Sequence, residues 1–195
     1  VASIALGTPD PVACIRFAHG QADWVSPLKK ASDVNRSQAT FDLLLAVESV
    51  GQQEYESRWQ EIHEQQDDPK LALNALYVAF VEGASQEEIK RAAQETLQSL
   101  DDTNYQTSQM KRIVKTSLRY LAEGKSDDWL LSQTKNERNA LVEANFLIAM
   151  KRFSERDFPK TKEHLSAAEN VFAPWVNEYH WSRAILGWLV RQRTE

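Results

Sequence analysis

Cysteine is nearly missing from this 195-residue chain: Cys14 stands alone, so no disulfide can close within it. A single thiol assigns no redox compartment, and Cys14 reads as a small, partly buried hydrophobe. Glycine and proline are scarce, with six of each. No Lys/Arg run exceeds a pair and the net charge is -5, which excludes the basic stripe that a nucleic-acid binder needs to neutralise phosphates. No apolar run reaches the ~20 residues that span a bilayer. Catalytic signatures are missing too: there is no G-x-S-x-G, no phosphate-cradling glycine loop and no H-E-x-x-H. The nearest approach, "IHEQQ" from Ile62 to Gln66, lacks the second histidine and reads as a solvated helix end. The acidic pairs read as helix caps. No catalytic residue, metal ligand or cofactor is therefore expected. The chain starts at Val1, not Met, and is read as processed or excised from a longer protein.

What is present favours helices. Hydrophobic residues make up 42% and charged residues 26%, ordinary globular usage in a chain long enough to bury a core. Ala, Leu, Glu, Gln, Lys and Arg dominate, and no stretch alternates as a strand would. The expected class is all-α. Residues 1–34 hold half the prolines and a third of the glycines. They are expected as an irregular lead-in or linker with at most one short helix, over residues 12–19, and Trp24 as a possible anchor. Residues 35–195 form the helical repeat domain.

One pattern recurs there: "LLLAVESVGQQEYESRWQEI", "LYVAFVEGASQEEIKRAAQETL", "LRYLAEGKSDDWLLS" and "IAMKRFSERDFPKTKEHL" each run apolar helix, tight corner, second helix. The corners are Gly51, Gly83, Gly124 and Arg156, spaced 32, 41 and 32 residues apart, within the range of helical-hairpin repeats. A residue just past a helix end often turns left-handed, which suits glycine. Ser85 and Glu88 form a capping box, and Asp67-Asp68-Pro69, Asp101-Asp102-Thr103 and Asp127-Asp128 place carboxylates at helix starts. From Leu71 to Val81 nearly every residue is apolar, whereas Ile89, Ala92, Ala93, Leu97 and Leu100 make a single stripe. The first helix of a unit is thus expected inside and the second outside.

On these residues the chain resembles the tetratricopeptide-repeat family. Phe146, Ile148, Ala149, Phe153, Asp157-Phe158, Leu165 and Ala168 match that repeat's large, small and corner positions, and "NEYHWSRAILGWL" is similar to the first helix of a terminal unit. Arg156 stands where the family prefers Gly, Thr161 where it prefers Ala, and Arg152 in place of a usual aromatic. The ending is also similar to small bacterial repeat lipoproteins that act as periplasmic adaptors. The resemblance implies an α-α superhelix of stacked hairpins, the alternative being a non-repetitive helical bundle. It also implies a groove lined by first helices, with Glu143, Phe146, Met150 and Phe153 in the best unit, Leu73, Tyr77 and Phe80 in an earlier one, and Tyr179 and Arg183 continuing the surface. It leans the location toward the periplasm or another extracytoplasmic space.

Three functions follow as expectations. The first is a non-enzymatic module (adaptor, chaperone or assembly factor) that binds a protein, peptide or helix, with no nucleic acid and with a homodimer open. The second is a sensory or regulatory domain of a larger signalling or transcription-control protein. The third is an all-helical enzyme with acid and base groups drawn from different helices. Trp175, Tyr179, Trp181 and Trp188 crowd the end of the chain and read either as a cap on the core or as a contact surface. His164 and His180 read as structural, with His180 beside Glu178 as a pH-sensitive contact.

Overall fold

A computed structural model describes residues 9–30, 34–52, 54–100 and 108–192. Among them are ten α-helices and no strand. In chain order these are α1 (Pro9–Ala18), α2 (Val34–Glu48), α3 (Trp59–Glu64), α4 (Pro69–Glu82), α5 (Gln86–Ser99), α6 (Ser108–Ala122), α7 (Asp127–Thr134), α8 (Arg138–Ser154), α9 (Phe158–Asn170) and α10 (Asn177–Arg191). A 3-10 turn, Leu28–Lys30, precedes α2. No helix among the described residues is long and apolar enough to cross a membrane.

The local signals act where the residue types place them. Asp68 caps α4 through Lys70 N at 2.7 Å, with Pro69 in the first turn. The Ser85–Glu88 capping box opens α5. At the α7 start the cap is Ser126, not the acidic pair: its hydroxyl accepts from Trp129 N. Asp127 instead receives Tyr120 Oη at 2.6 Å and pairs with Arg152. The cap expected at Asp101-Asp102-Thr103 lies outside the described residues. All four corners are left-handed, with φ 85° at Gly51, 77° at Gly83, 62° at Gly124 and 58° at Arg156.

The inner and outer layers differ as the sequence indicates. From Ala72 to Val81 every residue of α4 is buried, whereas α5 buries one stripe. Leu147 and Ile148, in α8, have no exposed surface. Four inner helices close a ring: α2 lies on α4, α4 on α8, α8 on α10 and α10 on α2. They run the same way, because an odd number of helices, alternating in direction, separates each from the next. Lys70, Glu143 and Glu178 meet at the starts of α4, α8 and α10. Tyr77, Phe146 and Trp181 meet mid-helix with ring centroids 5.0–6.1 Å apart. Trp181 Nε1 donates to Thr40 Oγ1 on α2 at 3.0 Å. Phe153 and Trp188 meet at the far end.

The lead-in joins this body. Phe17 and Trp24 belong to the same buried cluster as Leu73 and Trp181, and their rings meet edge to face at 5.4 Å. Helix α1 lies along α10, close enough that Gly187 faces the backbone of Ala18. The last helix starts at Asn177, three residues after Pro174. Phe172 takes φ 54° and turns the chain, and Pro174 O accepts from His180 Nε2 at 2.7 Å, so Pro174 sits in the approach. Trp181 and Trp188 are buried, 1% and 8% exposed.

Candidate functional site

Eight of the nine residues expected to line a groove are buried side chains: Leu73, Tyr77, Phe80, Glu143, Phe146, Met150, Phe153 and Tyr179. Only Arg183 is exposed; it pairs with Glu169 and lies over the Tyr179 ring. The reason is the ring. With α10 packed against α2, the inner faces fill one another, and a side chain without exposed surface offers nothing to a partner in this conformation. Phe80 and Phe153 are the exceptions in part, since their edges reach the open space at one end of the ring.

Glu143 has a different task from the expected one. Lys70 Nζ donates to Glu143 Oε2 at 2.6 Å and to Glu178 Oε1 at 2.7 Å, tying the starts of α4, α8 and α10 together. Burial alone would pull the Lys70 ammonium down, but the two carboxylates outweigh it and hold its pKa well above the ordinary 10.5. Burial pushes the Glu143 carboxyl up to about 7, with Lys70 opposing and Glu178 adding to the rise. The Tyr77 hydroxyl nearby is buried and makes no hydrogen bond. Glu178 is almost wholly covered, while the Lys70 side chain keeps 21% of its surface exposed, and the two ion pairs hold three helix starts together.

The open space lies at the opposite end, where the inner helices finish. Because α2, α4, α6 and α8 run the same way, their corners gather on one face. A cavity of about 430 Å³ sits between the ends of α2, α4 and α8, lined by Val50, Tyr55, Phe80, Phe153, Arg156 and Phe158 among others. A second cavity of about 190 Å³ adjoins it past Phe80 and Ser154, and reaches Lys90, Tyr120, Gly124 and Lys151. Together they form a trough with an apolar floor. Its wall at Tyr55 is fixed by Glu82, whose carboxylate accepts from Tyr55 Oη at 2.6 Å, Ser57 Oγ at 2.7 Å and the backbone N–H groups of Arg58 and Trp59 at 3.0 Å. Val50, on the rim, is 40% exposed.

A second surface lies between α9 and α10. Phe172 and Trp175 are 59% and 53% exposed. The Phe172 ring meets Tyr179 edge to face at 5.9 Å, and Trp175 Nε1 donates to Asn139 Oδ1 at 2.7 Å. Among the described residues no group of three or more His, Cys, Asp or Glu side chains is placed to hold a metal ion. Cys14 is buried on α1, and burial raises its thiol pKa, which keeps it protonated and unreactive. His164 and His180 bond to Asn145 Oδ1 and Pro174 O, as structural histidines do.

Sequence reasoning located the corners but not the trough between them, because it depends on which corners share a face. The signal that could have found it is the common direction of all first helices in a series of hairpins. Comparison with protein-family models, curated proteins and solved structures finds no match.

Proposed function

We propose that this chain is a non-enzymatic protein-interaction module that holds a segment of a partner protein in the trough across the ends of its inner helices. The observation that supports this is the apolar floor of Phe80, Phe153 and Phe158 beneath an open cavity of about 430 Å³, walled by a loop that Glu82 clamps with four hydrogen bonds. Binding sites combine preformed concavity with aromatic lining and a few polar groups. The stacked-hairpin layout belongs to the same reading: α4 with α5, α6 with α7 and α8 with α9 are packed neighbours, as in a series of hairpins. The role of adaptor, chaperone or assembly factor, and that of the receptor domain of a larger regulatory protein, both use this surface.

A second reading places the partner on Phe172 and Trp175. Large exposed aromatics are typical binding anchors, and Phe172 holds a backbone conformation that side chains with a Cβ resist. One experiment separates the two. A photo-crosslinking residue is placed at Val50 or at Phe172, and the full chain is irradiated in extract of its native host. The trough reading expects discrete protein adducts from Val50 and few from Phe172. Adducts from Phe172 alone would move the site to the aromatic surface.

A further inference from the structure

We propose that the trough selects an acidic segment: an internal stretch of a partner protein in which carboxylates flank a large apolar side chain. This rests on the trough being the partner site, and adds what the partner must look like.

Arg156 motivates it. The other three corner residues are glycines, and Arg156 takes the same left-handed backbone, φ 58°, despite its Cβ. Arg156 is exposed, its guanidinium makes no hydrogen bond or ion pair among the described residues, and the residue lines the larger cavity. The fold thus keeps a cation at the cavity edge, on a strained backbone, and gives it no partner. Strain of this kind persists where the surroundings or a function maintain it.

The balance of donors and acceptors points the same way. Helix C-termini favour cations, so a basic segment is the first alternative. However, part of the acceptor set here is already used. At each of three corners two amide N–H groups turn back onto the helix-end carbonyls, including Ala84 N to Ala79 O, Lys125 N to Tyr120 O and Asp157 N to Arg152 O. The Glu82 carboxylate accepts four hydrogen bonds. What remains unanswered is mostly positive. Arg156 lies in the larger cavity, and Lys90 and Lys151 in the smaller, with Glu87 the opposing charge there. Lys151 already has Asp127 at 4.0 Å and the Tyr120 ring beneath it, so an occupant's carboxylate competes with these contacts there. Phe80 separates the two groups of cations, since it lines both cavities. A lone terminal carboxylate would answer one end only. An internal segment with carboxylates on either side of an apolar residue answers both, and the planar guanidinium suits a carboxylate in particular.

The test uses two fluorescein-labelled, end-blocked peptides, Gly-Glu-Asp-Phe-Asp-Glu-Gly and Gly-Lys-Arg-Phe-Arg-Lys-Gly, titrated with the full chain in fluorescence anisotropy. The acidic peptide should bind and the basic one should not. Binding should weaken as salt rises from about 50 mM to about 300 mM, since exposed charges are screened over that range. Arg156→Gln should weaken it about ten-fold or more, the loss of one charge-assisted hydrogen bond, while keeping the strained backbone. Arg156→Gly should weaken it equally while the thermal midpoint holds or rises, which excludes misfolding. Equal binding of both peptides, or acidic binding indifferent to both substitutions, overturns the charge selection and leaves the trough reading standing. Failure of the acidic peptide to bind, with Val50 adducts still formed, does the same.

Discussion

Glycine in the middle of a helix is normally a liability, and replacing it with alanine normally gains about 1 kcal/mol. Gly187, in α10, should behave in the opposite way. A Cβ built there would stand 2.7 Å from Ala18 Cβ, 2.8 Å from Ala18 O and 2.9 Å from Ala18 Cα. Two of these atoms belong to the backbone and cannot swing aside as a flexible side chain would, so α1 must move off α10. Moving it disturbs Phe17 and Trp24, which are 2% and 3% exposed, and the Arg191 contact to Ala18 O. Overpacking of this kind costs about 1–3 kcal/mol. Net of the propensity gain, Gly187→Ala should lower stability by up to about 2 kcal/mol. Urea unfolding followed by circular dichroism and by Trp fluorescence would measure it. Native-state hydrogen exchange should show faster exchange in α1. A gain of stability in Gly187→Ala would mean that α1 does not rest on α10, and that residues 9–30 are a detachable lead-in after all.

Three further outcomes follow from particular contacts. Tyr77→Phe removes a buried hydroxyl that makes no hydrogen bond, so it should be neutral or stabilising by up to about 2 kcal/mol; a clear loss in urea melts would show that the hydroxyl is bonded. Arg156→Gly relieves a left-handed residue bearing a Cβ and should raise stability by about 1 kcal/mol, with no change predicted for the paired corner hydrogen bonds. The buried triad makes stability depend on pH. The Glu143 carboxyl titrates near 7 when folded against an ordinary 4.5, so the folded chain binds the proton more tightly and this contribution falls as pH rises from about 4.5 to about 7. Glu143→Gln should flatten the urea midpoint across that window. The Lys70 ammonium, raised above 10.5, acts in the same sense in a more alkaline window: its contribution is present below that pH and is lost as pH rises through the higher folded value.

Much of the fold was legible because it was written in local geometry. Corners could be located because left-handed backbone favours glycine, and Arg156 could be placed among them only because the helices on either side kept the pattern. The inner and outer layers could be separated because an all-round apolar helix such as α4 must be covered on every side. The expected groove was not legible. Whether Phe146 and Met150 line a groove or fill a core depends on whether the first helices stay splayed, and here α10 closes on α2 through Trp181 and Thr40, residues 141 apart in sequence. Nor does spacing show that Glu143 shares Lys70 with Glu178, which join three helices at separations of 73 and 108 residues. A local trace of the long-range contact between α1 and α10 is Gly187, a glycine inside a helix that marks a point of close approach.

The proposed partner site is the corner end of the ring, between α2, α4 and α8. The most direct measurement is hydrogen exchange of the chain alone against the chain bound to the partner captured from Val50. Exchange should slow at residues 49–52, 81–84 and 154–158, which line or flank the larger cavity, and change little at residues 171–176. Slowed exchange confined to residues 171–176, with the three corners unchanged, would contradict it and assign the partner to Phe172 and Trp175.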